Sequence, residues 1–175
     1  MNWIAFEKDY NFEKTVFELT NESLDIIAES EDFKDQIFGA FAFNCVSGDI
    51  SLSFDTSTGI DLRKENYYPP DWTNEVMESD IEEIQELWQN KYGHIQRSFN
   101  EIIAHHEDEV IDEFEAGYLN SLRRIMVNLE NSNAFGKIKT SEEFWTLVTQ
   151  VDADTEQEEK LLDEVRKKNN NGEKH

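Results

Sequence analysis

Between Ile37 and Val46 the chain reads Ile-Phe-Gly-Ala-Phe-Ala-Phe-Asn-Cys-Val, ten residues broken by polarity only at Asn44. A segment with no polar face has to be covered on both sides, and its length limits what can cover it. A helix that crosses a bilayer needs about 20 apolar residues, so this run is too short to be one. It predicts a central strand over Ile37 to Phe43, buried on both faces. Ser47-Gly48-Asp49 then has turn chemistry, and Ile50, Leu52 and Phe54 alternate with Ser51, Ser53 and Asp55 at the period of a strand with one wet face. The pair predicts a Phe-rich β-hairpin.

The rest of the chain reads mainly as helix. Two prolines and seven glycines in 175 residues exclude linker-like or collagen-like composition, while twelve Phe, five Tyr and four Trp supply core material. A chain of this length builds a core without metal or disulfide staples. Asn11 is a candidate cap for a helix through Phe12, Val16, Leu19, Ile26 and Ile27, ending near Glu31. Ser79 or Asp80 opens a second one, with Ile81, Ile84, Trp88, Ile95, Phe99 and Ile102 on one stripe and Gly93 weakening its middle. A third carries Val110, Phe114, Tyr118, Leu122, Ile125 and Leu129, with Arg123-Arg124 toward its C-terminal end. Thr140-Ser141-Glu142-Glu143 has capping-box spacing ahead of Phe144, Trp145, Leu147 and Val148, and predicts a short fourth helix. Thr155 is placed to cap a last one through Leu161, Leu162 and Val165. The expected fold is α+β: a single helix-rich domain over 1–168, with a small antiparallel sheet built on the hairpin and packed by four to five helices. Residues 169–175 form a frayed polar tail.

Charge narrows the function. Sixteen Lys and Arg face 39 Asp and Glu, for a net charge of −23, which repels phosphate backbones and anionic lipid heads. Direct nucleic-acid and membrane binding are disfavoured. The acidic excess reads either as a solvated surface or as a face that docks a basic partner. Cys45 is the single cysteine and sits in the apolar run, as a small buried hydrophobe would. With no disulfide to form, a reducing cytoplasmic location is expected. Met1 to Tyr10 has neither the basic start nor the apolar run of an export signal.

No assembled chemistry emerges. His105 and His106 are adjacent, so on a helix they point about 100° apart, whereas a helical metal pair needs i,i+3 or i,i+4 spacing. Asp152-x-Asp154 lacks the glycine and the closing glutamate of a calcium loop and reads as helix capping. There is no G-x-S-x-G, no phosphate-cradling glycine loop, and no thiol at an electropositive helix start. The expectation is no cofactor, no metal and no catalytic residue. An enzyme of unrecognised type, using carboxylates or the His105-His106 region, stays as a remote alternative.

The most unusual local composition is Tyr67-Tyr68-Pro69-Pro70-Asp71-Trp72, where each proline forces its predecessor to be extended. One reading is a lid packed on the sheet. The other is a partner-binding edge with Tyr68, Asp71, Trp72 and Glu75 as contacts, because rigid aromatics anchor interfaces and acids pair with Arg or Lys.

The segments Phe38 to Phe43, Leu52, Phe54-Asp55-Thr56, Tyr68-Pro69-Pro70-Asp71-Trp72, and Asp152-Ala153-Asp154 after Phe144 to Val148 span most of the chain. In this order they resemble a family of small acidic bacterial proteins of unknown function. Some of its members are encoded as immunity partners in polymorphic-toxin or contact-dependent inhibition loci. The resemblance implies an α+β domain and a cytoplasmic, non-enzymatic protein that neutralises a toxin by occluding it, with no catalytic residue of its own. Charge adds that the toxin is basic, with a nuclease as one candidate. The competing expectation is a helical adaptor that pairs with another helix, including a second copy of itself.

Overall fold

In a computed structural model that describes residues 1–46, 48–56, 72, 75–106, 108–150 and 153–172, the apolar run is the strand around which the other elements are arranged. The order is α1 (Trp3–Tyr10), α2 (Phe12–Glu29), β1 (Ile37–Val46), β2 (Asp49–Asp55), β3 (Glu75–Met77), α3 (Glu82–His105), α4 (Asp108–Asn131), β4 (Lys139–Gln150) and α5 (Thr155–Gly172). Short 3₁₀ turns at Glu78–Asp80 and Ala134–Lys137 precede α3 and β4. The sheet runs β3-β2-β1-β4. The expected hairpin is present, with Phe41 opposite Phe54 and Phe43 opposite Leu52. The class is α+β, as expected.

The sheet is mixed, however, because β4 lies parallel to β1. This β4 is the segment whose capping-box spacing predicted a fourth helix. Trp145, Thr146, Leu147, Val148 and Thr149 are aromatic or β-branched in the main, and they pair along β1 from Ala40 to Asn44. Closing the open edge of a buried strand satisfies its backbone groups, and that outweighs a local helix signal. Between the pairs Phe38 with Thr140 and Ala40 with Trp145 the register slips, so that Ser141 to Phe144 bulge opposite Gly39 alone.

Alternation divides the two faces of the sheet. Phe41, Phe43 and Cys45 of β1 join Leu52 and Phe54 in the main core under the helices, while Ala40 and Ala42 face the other way with Trp145, Leu147 and Trp72. In the main core the Phe41 ring lies 4.8 Å from Phe54 and 5.1 Å from Phe135.

The N-terminus also departs from the sequence expectation. Residues before Asn11 form α1, started by Asn2, whose Oδ1 accepts the Ala5 N–H at 3.0 Å. Asn11 ends that helix in the left-handed region at φ 46° and makes no side-chain cap for α2. Trp3 explains why α1 is held. Its ring packs on Phe12 and Phe114, with centroids 5.0 and 5.2 Å away, and its indole N–H donates to Ser121 Oγ at 3.0 Å. Gly117 makes room for it, since a Cβ there would fall 2.3 Å from the Trp3 ring.

Elsewhere the caps differ in detail. Ser79 and Asp80 lie in the 3₁₀ turn, where Asp80 accepts the Met77 N–H at 2.9 Å, and α3 runs unbroken through Gly93. Asp154, one residue before Thr155, accepts from the backbone of Glu156 and Gln157. Helix α5 continues past Lys168 to Gly172, so Asn169 to Gly172 are helical rather than frayed.

The β1–β2 turn is fastened from below. Tyr92 donates to the Gly48 carbonyl at 2.8 Å and Tyr118 to that of Asp49 at 3.2 Å. Gly48 has φ +87°, and a Cβ on it would fall 2.3 Å from the Phe99 ring. Both phenols are pushed well above their ordinary range by burial and stay neutral donors.

The two mid-helix glycines give opposite expectations. Gly117→Ala should lower stability by about 1–3 kcal/mol through overpacking against Trp3. Gly93→Ala meets nothing closer than an Arg97 nitrogen at 3.8 Å and should raise it by about 1 kcal/mol. Urea unfolding followed by circular dichroism checks both signs.

Candidate protein-binding site

The sequence-predicted contacts divide on inspection. Tyr68 and Asp71 lie outside the described residues. Trp72 is 5% exposed; its ring centroid is 6.5 Å from that of Trp145, over Ala40 and Ala42. This buried position suits a side chain packed on the sheet, not one presented to a partner. Glu75 opens β3 directly opposite Asp55 and is half-buried. Burial pushes its carboxyl up, with the Ser53 hydroxyl opposing and Asp80 and Asp55 adding to the rise.

The other groups weighed for chemistry are held structurally. His105 and His106 are exposed, and each Nδ1 donates to a carbonyl one turn back, Glu101 and Ile102, at 2.7 Å. Among the described residues no group of three or more His, Cys, Asp or Glu is placed to hold a metal ion. Burial pushes the Cys45 thiol up to about 12, which keeps it protonated and a poor nucleophile at neutral pH.

Arg123, Arg124 and Arg166 are engaged internally. Arg123 forms a buried ion pair with Glu158, tying α4 to α5. Arg124 reaches Glu13 on α2, and Arg166 joins Glu130 at 2.7 Å and the Thr146 hydroxyl of β4. Along α2 the acids also find cations for a while: Glu18 has Lys14, Glu22 has Lys91 and Asp25 has Lys137.

That pattern stops at the C-terminal end of α2. There Glu29, Glu31 and Asp32 face Asp80, Glu82 and Glu83 from the start of α3, around a hollow of about 520 Å³ floored by Ile26, Phe33 and Ile81. All six carboxylates are exposed, and among the described residues no Lys or Arg lines the hollow. Glu31 pairs with Lys34 at 2.6 Å, and the other five make no ion pair with a described cation. The two walls differ electrostatically. Glu82 and Glu83 sit at a helix N-terminus, where the dipole favours them; Glu29 ends α2, whose last turn has no basic residue, so its charge adds to the negative helix end. A cation placed here is attracted by the carboxylates and by the negative end of the α2 dipole, while the apolar floor takes an aliphatic or aromatic side chain. Two acidic runs some fifty residues apart, Glu29-Ser30-Glu31-Asp32 and Asp80-Ile81-Glu82-Glu83, are visible in the sequence. Only the packing of α2 beside α3 makes them one site.

The carboxylate crowding extends onto the neighbouring 3₁₀ turn. Glu78 accepts the Leu52 N–H at 2.8 Å, and its carboxyl is pushed up chiefly by burial, with Asp80 and Glu75 adding repulsion. Because the folded chain holds this proton more tightly than the unfolded one, stability is lost as pH rises above the ordinary value of 4.5. Glu78→Gln keeps an acceptor for Leu52 and should therefore be more stable than the parent at pH 7. The difference should vanish below pH 4.5, read from urea midpoints across pH.

Among the described residues no helix is long and apolar enough to cross a membrane. Comparison with protein-family models, with curated proteins and with solved structures finds no match for this chain.

Proposed function

We propose that this chain is a non-enzymatic binding protein that neutralises a basic protein, of the kind an immunity protein holds inactive. The observation that carries the reading is the groove between α2 and α3, where six exposed carboxylates surround an apolar floor and no described Lys or Arg lines the wall. An inhibitor with such a face competes for the basic surface by which a nuclease would hold phosphate, and opposite charge speeds the encounter. The apolar floor adds what charge alone lacks, a pocket for an anchoring side chain. Glu75 opens the strand just ahead of the turn that supplies Asp80 and keeps part of its surface open.

A second reading, self-association through helices, draws on a different patch. Ile4 is 77% exposed, and with Met1 and Val110 it lines a hollow between α1 and α4. A net charge of −23 on each copy opposes that pairing.

Affinity capture with the tagged full chain from its native cells, washed at low and then high salt, distinguishes the two. One basic protein released by salt, and no longer captured by Asp32→Asn/Glu82→Gln/Glu83→Gln, is the expected result. The triple change should weaken the complex roughly tenfold or more. Capture of a partner that the triple variant holds equally well refutes the groove as the binding surface. Recovery of the chain alone, with a dimer in light scattering, favours self-association.

A further inference from the structure

We draw no further inference here: the strongest candidate, the apolar hollow between α1 and α4 where Met1, Ile4 and Val110 stand exposed, carries nothing because nothing in the structure shows what covers it.

Discussion

The structure depends on the burial of β1 from both sides. Phe41 and Phe43 point to the helices, while Ala40 and Ala42 point to the opposite face. The size difference matters as much as the polarity. Phenylalanines on one face require a thick cover, which α2, α3 and α4 provide. Alanines on the other allow Trp72 and Trp145 to lie close over the strand. A strand so enclosed also needs partners along both edges, because no water reaches its backbone. β2 supplies one edge and β4 the other, and that requirement recruits Lys139–Gln150 into the sheet.

Once the helices are placed, the distribution of charge follows. The arginines of α4 and α5 are drawn into pairs with Glu158, Glu13 and Glu130 that fasten helix to helix and helix to β4. Cations used in this way no longer compensate the surface. Six exposed carboxylates then meet where the α2 end joins the α3 start, in a hollow that no described Lys or Arg lines. Helix α3 carries different chemistry at its start and along its length. Its start presents carboxylates around an apolar floor, and further along Gln85, Gln89, Gln96 and Asn100 share a hollow with Asp49, Glu78 and Arg97.

Much of the fold was legible. Ile37 to Phe43 reads as a strand because nothing in it can face water, and the stripes through Trp88 and Phe99 or Phe114 and Leu122 read as helices because their period is helical. The N-terminal helix was less legible, since α1 spans only Trp3–Tyr10 and owes its place to Trp3 packing in the notch at Gly117. Residues 140–148 were misleading for a related reason. Their capping-box spacing is a local signal, whereas their pairing with Ala40 to Asn44 comes from a segment a hundred residues away.

From the sequence alone came the central strand, the hairpin, the long helices, the acidic excess and the absence of an assembled catalytic motif. These rest on period, composition and charge, which are properties of neighbouring residues. Tertiary structure decided the parallel β4, the burial of Trp72, the internal use of Arg123, Arg124 and Arg166, and the joining of Glu29 to Asp32 with Asp80 to Glu83. Each of these is a meeting of segments far apart in the chain, set by which surfaces the core brings together, and no local pattern encodes such a meeting.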